Sequence, residues 1–128
     1  MTEEHKIQNA IRNDLAGECL LFRANVGKAW TGEKIEKLPG NRLLITNPRP
    51  FDAGLPTGFG DLFGLVKVVI TQEMVGKTIG QFIMPEVKTA KGKASDAQKR
   101  CINAVNDNGG RAGVVRSPSD ARKLIFGG

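Results

Sequence analysis

The sequence feature that most constrains the fold is a pair of apolar runs, residues 62–70 and 79–84, separated by a short polar segment. Each run has the length and composition of a β-strand, and Gly76 between them indicates a turn. Because the two arms are similar in length, an antiparallel hairpin would bring Asp61, before the first run, opposite residues 86–88, after the second. The sequence therefore predicts a hairpin with charged residues gathered at its open end.

Residues 86–88 are Glu, Val and Lys, and their order decides which side chains meet. Alternation along a strand places Glu86 and Lys88 on one face and Val87 on the other. With Asp61, the hairpin would gather two carboxylates and one ammonium. Carboxylate oxygens suit a hard divalent cation, and such a cation assists the attack of water on an electrophilic phosphorus. The pattern thus indicates chemistry on phosphate esters.

Length and hydropathy bound the organisation of the chain. With 128 residues, 40% of them hydrophobic and 25% charged, the chain predicts one globular domain over residues 1–128. No apolar segment reaches the roughly 18–20 residues of a membrane span, and the N-terminus does not resemble a secretory signal. We therefore expect a cytoplasmic protein without a membrane partner, in which Cys19 and Cys101 stay reduced.

Positive charge is concentrated in the last third of the chain. Residues 1–87 hold 10 basic and 10 acidic residues, whereas residues 88–128 hold nine basic and three acidic residues, which accounts for the whole net charge of +6. A basic surface of this kind is suited to a polyanion such as DNA. From charge alone, a solvated basic face that keeps the protein soluble is an equally good interpretation.

Several catalytic mechanisms are excluded because the residues they need are absent. The chain has no Tyr, so a covalent phosphotyrosyl intermediate cannot form. Its one histidine, His5, removes His-rich metal nuclease sites and argues against a Ser-His-Asp triad. One histidine and two distant cysteines also argue against a structural zinc site.

Helical spacing and capping residues predict three helices. Thr2 is a candidate N-cap for the first, and Gly17 follows its end. The second follows Ser95, with Gln98 at the capping-box position. Gln98 has two interpretations, because the capping box alone explains it and yet its side chain could also reach the site near Lys88. The predicted helices span residues 3–16, 96–108 and 119–125.

The remaining segments predict short strands and two irregular stretches. Residues 31–39 are polar and indicate an exposed loop, whereas residues 47–60 are rich in Pro and Gly and indicate an irregular lead-in to Asp61. The element order predicts a mixed sheet flanked by helices, with a parallel strand–helix–strand unit over residues 82–115. The further predicted strands are residues 19–23, 42–46 and 112–115.

Gly60-Asp61, residues 86–88 and Gln98 resemble the PD-(D/E)XK nuclease superfamily, and the finer pattern resembles its VRR-NUC branch. The resemblance covers nearly the whole chain, is weakest over residues 31–57, and departs from the superfamily pattern in having Gly60 in place of Pro. It implies an α/β fold with a PD-(D/E)XK restriction-endonuclease-like core, in which helices flank a mixed central sheet. The finer motifs are Glu4-x-x-Ile7-Gln8, Phe22-Arg23-x-Asn25-x-Gly27, Glu86-Val87-Lys88-x-x-x-Gly92-x-x-Ser95-x-x-Gln98 and Gly110-x-x-x-Val114-Val115-Arg116-Ser117.

The resemblance also implies a role for each motif residue. Asp61 and Glu86, with the backbone carbonyl of Val87, would bind Mg²⁺ or Mn²⁺. Lys88 would orient or deprotonate the attacking water and stabilise the charge that develops at phosphorus. The other expected roles are Glu4 as a further acidic residue near the metal, Gln98 as the residue that positions Lys88 or a phosphate, and Asn25, Lys91 and Lys93 as contacts to the DNA backbone.

We therefore expect a Mg²⁺- or Mn²⁺-dependent endodeoxyribonuclease. A standalone domain of this type resembles the Holliday-junction resolvases, which implies a four-way DNA junction as substrate and a homodimer that cuts two strands in concert. Three alternatives remain open: a flap, nick or single-strand nuclease of the same fold, a catalytically inactive DNA-binding module, and a basic α/β domain whose carboxylates are merely solvated. Candidate interface residues, which are equally at home in a core, are Trp30, Leu43, Leu44 and Ile45.

Overall fold

The computed structural model describes residues 2–24, 29–51, 54–56 and 58–127, which form a mixed α/β structure. Within these residues the helices are α1 (Glu3–Asp14), α2 (Asp96–Asp107) and α3 (Pro118–Phe126), with a 3₁₀ turn at Gln72–Met74. The strands are β1 (Leu20–Arg23), β2 (Ala29–Thr31), β3 (Lys34–Leu38), β4 (Arg42–Thr46), β5 (Arg49–Phe51), β6 (Leu62–Leu65), β7 (Ile83–Val87) and β8 (Arg111–Val115).

The chain forms two compact units. The first unit comprises Met1–Phe22 and Gly64–Gly128, and therefore contains all three helices together with β7 and β8. The second unit, Arg23–Phe63, contains β2 to β5. The chain passes from one unit to the other within β1 and again within β6. Each unit has its own strand pairs and is described separately below.

The three helices confirm the sequence predictions. Thr2 caps α1, where its hydroxyl accepts a hydrogen bond from the N–H of His5 (3.2 Å), although the helix ends at Asp14, earlier than predicted. The predicted capping box begins α2. Ser117 caps α3, and its hydroxyl accepts from the N–H of Asp120 (3.1 Å). None of the described helices is both long enough and apolar enough to cross a lipid bilayer.

A parallel pair of strands forms the centre of the first unit. β7 and β8 run parallel in register from Ile83↔Arg111 to Val87↔Val115, which confirms the predicted parallel strand–helix–strand unit. Parallel strands need a crossover, and α2 provides it. The core lies between these elements: Val105 of α2 is fully buried, and Val115 of β8 is 4% exposed. Each of these valines contributes roughly 1.5–3 kcal/mol through burial.

The two helices that follow β7 cover opposite faces of this pair. Met84 and Ala112 share one face, and there the Sγ of Cys101 in α2 lies 4.0 Å from the Sδ of Met84. Gly113 has the opposite orientation on β8. A Cβ atom at Gly113 would lie 3.4 Å from a methyl group of Leu124 in α3. The strand pair is therefore sandwiched between α2 and α3.

Two polar side chains cover part of the free edge of β8. The Asn106 amide pairs with both backbone groups of Ala112, accepting from its N–H (2.8 Å) and donating to its carbonyl (3.0 Å). The N–H of Arg116, just beyond the strand, donates to Oδ2 of Asp120 (2.9 Å). Unpaired edge groups attract foreign strands, so these side chains protect β8 from such pairing.

The second unit consists of antiparallel strand pairs and corrects the prediction of an exposed loop over residues 31–39. β3 and β4 form a hairpin in register from Lys34↔Thr46 to Leu38↔Arg42. Gly40 (φ +77°) and Asn41 (φ +56°) adopt the positive φ angles of its turn. The charged composition of β3 does not indicate a strand, because backbone pairing with β4 stabilises this strand more than burial does.

Pro50 lies within β5, so the prediction that residues 47–60 contain no regular structure is wrong. β5 pairs with β2 in antiparallel fashion, with Pro50 opposite Trp30. Each strand of a two-stranded sheet keeps one unpaired edge. Proline is tolerated on such an edge because its missing N–H can face away from the partner.

The predicted hairpin over residues 62–84 is also wrong. β6 pairs with β1, whereas β7 pairs with β8. Gly64 allows the approach of β6 to β1, since a Cβ atom there would overlap the carbonyl oxygen of Leu20. The apolar residues after β6 remain exposed, for example Val69 (83%) and Ile70 (70%), so no burial favours their extension as a strand.

The predicted single mixed central sheet must be corrected as well. The described strands form four sheets of two strands each. All of them are short, at three to five residues. A strand of this length provides few ladder hydrogen bonds, and in the first unit α2 and α3 add their packing to the β7–β8 pair.

Replacing Asn106 by Ala is expected to lower the free energy of unfolding by about 1–3 kcal/mol, because both backbone groups of Ala112 lose their partner on a buried strand. Urea denaturation measures this change. Asp107→Ala is the control, since its exposed side chain lies on the same helix and surface substitutions change stability by about 0.5 kcal/mol or less. Equal stability losses in the two variants would show that water replaces the Asn106 amide.

Candidate active site

Glu86 and Lys88 lie on the same face of β7, as strand alternation predicts. Their side chains are 29% and 22% exposed, and the Nζ of Lys88 lies 3.4 Å from Oε1 of Glu86. Val87 points to the opposite face and is 74% exposed. Because solvent reaches both members, the ion pair contributes about 1 kcal/mol or less to stability. The stability of the fold thus depends little on this half-buried ion pair.

Gln98 links the helix α2 to this pair. Its Nε2 donates to Oε1 of Glu86 (2.9 Å), and its Oε1 accepts from the backbone N–H of Ser95 (2.9 Å). The hydroxyl of Ser95 accepts in turn from the backbone N–H of Gln98 (3.1 Å). These contacts orient the amide, since only its nitrogen can donate to a carboxylate. Gln98 therefore both caps α2 and holds Glu86, and its expected role in positioning Lys88 or a phosphate stays a prediction.

The contacts of Glu86 are concentrated on one of its two oxygens. Oε1 receives the Gln98 amide and faces the Lys88 ammonium. Within the described part of the chain, Oε2 has neither a hydrogen bond nor an ion pair. A carboxylate can accept about four hydrogen bonds or bind a cation through either oxygen. Glu86 is therefore oriented through Oε1 and keeps Oε2 for a further ligand.

The backbone carbonyl of Val87 points away from β8. The N–H of Lys88 donates to the carbonyl of Val115 (3.1 Å), and the N–H of Arg111 donates to that of Phe82 (2.8 Å). The even-numbered residues of β7 thus form the ladder with β8. Because successive residues of a strand direct their backbone groups to opposite edges, those of Val87 lie on the other edge.

The oxygen atoms on β7 are of the type that Mg²⁺ and Mn²⁺ prefer, namely one carboxylate oxygen of Glu86 and the carbonyl of Val87. Across residues 2–24, 29–51, 54–56 and 58–127, no group of three or more His, Cys, Asp or Glu side chains is placed to hold a metal ion. The donor chemistry on β7 fits the expected metal, and its binding stays a prediction.

The other two acidic residues expected at the site lie apart from β7 in the chain. Asp61 belongs to the second unit, directly before β6, where its backbone carbonyl accepts from the N–H of Ala24 (3.0 Å). Glu4 lies exposed in the first turn of α1. Within the described part of the first unit, Glu4 forms no hydrogen bond or ion pair with Glu86. Their roles at the site stay predictions.

Two of the three predicted DNA contacts lie in the loop between β7 and α2. Lys91 and Lys93 are exposed in this loop. Asn25 falls outside the described residues. The loop is anchored at its centre, because the guanidinium of Arg116 donates to the carbonyls of Thr89 and Gly92, the latter at 2.7 Å.

Arg116 is the residue whose role sequence reasoning missed. It was recognised as part of a motif but received no function. The sequence signal for this role is the position of Arg116 directly after β8. The parallel partner strand, β7, ends at Val87, next to the start of the loop that contains Lys88. A side chain there can reach the loop, and the five donors of arginine suit a cluster of backbone carbonyls.

The geometry defines a mixed α/β protein in which one strand presents a carboxylate and an ammonium and a helix cap supplies an amide. This is a set of groups suited to a phosphodiester substrate. The chain matches the family model of the VRR-NUC domain over residues 4–119 and belongs to this family, as its motifs predicted. Membership implies a nuclease-type function with DNA as substrate. The chain has no significant match among curated proteins or solved structures.

Exchanging the two partners tests the link between Gln98 and Glu86. Gln98→Glu keeps the capping box, since Glu serves there as well as Gln, but it sets two carboxylates against each other and lowers stability. The double variant Glu86→Gln/Gln98→Glu reverses donor and acceptor and is expected to recover stability. A double-mutant cycle by urea denaturation should give a coupling of about 0.5–3 kcal/mol.

Ser95→Ala is the control for this cycle. It removes the capping bond at a cost of about 1 kcal/mol and leaves the amide–carboxylate contact in place. Its effect should add to that of Glu86→Gln within about 0.5 kcal/mol. Additivity in the exchange cycle itself would mean that Gln98 acts as a helix cap alone.

Proposed function

We propose that this protein is a metal-dependent, structure-specific DNA endonuclease that hydrolyses phosphodiester bonds with a PD-(D/E)XK-type core. The observation that carries the proposal is the arrangement on β7, where Glu86 is held between the Lys88 ammonium and the Gln98 amide. A protein that only bound DNA would need its lysines and would have no use for an oriented, half-buried carboxylate. Family membership supports the same conclusion.

Lys88 is the residue best suited to act on the reacting groups. Its ammonium has three donors, and among the described residues its one ion-pair partner is Glu86. The remaining donors can orient the attacking water and stabilise the negative charge that develops on the phosphate oxygens. Gln98 acts indirectly, because it holds the carboxylate that holds Lys88.

Asp61, Glu86 and the Val87 carbonyl are the proposed ligands of Mg²⁺ or Mn²⁺, with Glu4 as a further acidic residue nearby. When bound, the metal would neutralise phosphate charge and activate water for in-line attack. Glu86 contributes an oriented oxygen atom, and Val87 contributes a carbonyl that faces away from β8. The carbonyl is fixed by the β7 backbone and the carboxylate by its contacts to Gln98 and Lys88, which limits the reorganisation needed during the reaction.

A four-way DNA junction is the proposed substrate, cut by a homodimer. The hairpin β3–β4 supports the dimer, because Ile35 (52% exposed) and Leu43 (59% exposed) share one of its faces. The same face carries Lys37, which lies opposite Leu43. A two-stranded hairpin is only marginally stable by itself in water, so exposed apolar residues on this face favour a covering partner. A symmetric dimer would supply two sites for two strands.

Cleavage assays with labelled four-way junction, flap, nicked, single-stranded and duplex DNA test the activity. With Mg²⁺ or Mn²⁺, we expect symmetric cuts in the junction. Glu86→Gln and Lys88→Ala should each reduce the rate about 100- to 1,000-fold, the usual loss when an electrostatic group is removed from an active site. The matched controls Glu73→Gln and Lys77→Ala change exposed side chains and should cut at the wild-type rate.

The other outcomes separate the alternatives. Cutting of flaps, nicks or single strands without junction preference would keep the site and replace the substrate. Binding of DNA without cutting under any divalent metal would contradict the enzyme and leave a DNA-binding module. Wild-type rates in Glu86→Gln and Lys88→Ala would remove the proposed site.

Leu43→Glu tests the dimer. A carboxylate at this position would have to be desolvated in the interface, and the Lys37 ammonium opposite it would offset that cost only in part, so the variant should be monomeric. Sedimentation velocity or light scattering after gel filtration measures the mass. Thr46→Glu adds the same charge to the opposite face of β4 and should remain dimeric. A monomeric wild-type protein at all concentrations would contradict the homodimer.

A further inference from the structure

A shallow groove of about 380 Å³ lies along the edge of β8 that faces away from β7. It is bounded by this strand, by the first turns of α2 and by the loop before α2. The lining residues important here are Lys93, Lys99, Asn103, Val114 and Arg116, which define the basic groove. All of them belong to the first unit, and the Glu86–Lys88 pair does not line the groove.

The backbone of β8 offers one hydrogen-bonding position to this groove. The ladder with β7 uses residues 111, 113 and 115, so the backbone groups of residues 112, 114 and 116 face outward. Ala112 is already paired by Asn106, and the N–H of Arg116 by Asp120. Val114 lies between them and, as far as the described chain extends, its backbone has no partner.

This arrangement favours a small ligand over a peptide strand. A strand that added to β8 would need the backbone groups on both sides of Val114, and Asn106 and Asp120 occupy them. A single acceptor group needs only the N–H of Val114. The edge of β8 therefore cannot pair with another strand, whereas the N–H of Val114 can donate to one compact acceptor.

The side chains around the groove are positive and lack counter-ions. Lys93, Lys99 and Arg116 form no ion pair within the described part of the protein. Arg116 donates to two backbone carbonyls, which carry no net charge to compensate it. The nearby acids are Asp96, exposed in the first turn of α2, and Asp120, which is occupied by a backbone N–H. The groove thus has an excess of uncompensated cations.

We propose that the basic groove binds a phosphate group of the DNA backbone beside the phosphodiester bond that is cut. The N–H of Val114, the amide of Asn103 and the ammonium groups of Lys93 and Lys99 are the donors for its oxygens. Phosphate contacts of this kind fix the register of a nucleic acid without reading its sequence. The inference rests on the proposed function, since it assumes a cleavage site near Glu86.

The position of the groove suits a neighbouring phosphate. Val114 is the ladder partner of Glu86, and adjacent strands are about 4.8 Å apart. Lys99 directly follows Gln98, which contacts Glu86. Phosphates succeed one another every 3.4 Å or so along the axis of a DNA strand. The groove therefore adjoins the strand next to the one that carries Glu86, as a site for a neighbouring phosphate requires.

Arg116 gives the groove its shape. Its guanidinium holds the loop at Thr89 and Gly92, and Lys93, one residue later, lines the groove. The same arginine thus connects the loop after Lys88 to the end of β8. The hydrogen bonds of Arg116 to the loop therefore position both the candidate active site and the basic groove.

Salt titrations of DNA binding test the proposal. The probe is a fluorescein-labelled four-way junction in EDTA, which prevents cutting, with NaCl raised from about 50 to 200 mM. Lys99→Ala should raise Kd about 3- to 10-fold and reduce the slope of log K against log salt by about 1. Asn103→Asp is nearly isosteric and places a carboxylate in the groove, so it should weaken binding at least as much.

Each variant has a matched control on another helix of the first unit. Lys123→Ala removes the same charge from α3, and Asn13→Asp adds the same charge to α1. Both positions are exposed. The controls should change Kd less than twofold and leave the slope unaltered. Thermal melts of all four variants verify that they are folded.

The outcomes for the groove and for the nuclease are separable. If the wild-type protein cuts DNA while Lys99→Ala and Asn103→Asp bind like their controls, the groove is overturned and the nuclease stands. If the wild-type protein cuts no DNA under any divalent metal while both variants lose affinity and slope, the groove stands as a phosphate site of a binding module. Equal losses in variants and controls would mean that net charge alone attracts the DNA.

Discussion

The parallel pairing of β7 with β8 is the constraint on which the first unit depends. Parallel strands cannot be joined by a tight turn, so the chain must cross over, and α2 is that crossover. The crossover places α2 on the face of β7 that carries Glu86 and brings the Gln98 amide into contact with its carboxylate. Within the described residues it also leaves the far edge of β8 unpaired at Val114, where the basic groove lies. The pairing of β7 with β8 thus creates both candidate binding regions.

Charge is divided between these regions in a way that suits a polyanion and a cation together. On β7, the carboxylate of Glu86 is oriented through one oxygen and keeps the other for a ligand. Around the groove, lysines and Arg116 lack ion-pair partners within the described residues. A DNA strand lying across both regions would meet cations along its backbone and an oxygen ligand at the reacting group. Three of the basic residues after Lys88, namely Lys93, Lys99 and Arg116, lie together around this groove.

The predicted strands over residues 19–23 and 42–46 are present as β1 and β4, and most of the other elements that were predicted correctly have strong local signals. The helices α1, α2 and α3 have capping residues and a helical repeat, and β8 is a short apolar segment between a helix stop and a helix cap. The elements that were predicted wrongly depend on pairing. β3 is charged and β5 contains Pro50, and both become strands because a neighbour supplies the hydrogen bonds. The intrinsic strand propensity of a segment predicts its structure poorly where pairing with a neighbouring strand determines that structure.

The candidate site shows the same division between local pattern and long-range contact. The facing of Glu86 and Lys88 follows from the two-residue period of a strand, and the capping role of Gln98 follows from its spacing to Ser95. Both could be read from the order of residues, because they depend on neighbours a few positions apart. The bond between Gln98 and Glu86, the anchoring of the loop by Arg116 and the open backbone of Val114 could not. They arise because β7 pairs with β8, and this pairing depends on burial and hydrogen bonding between segments far apart in the chain.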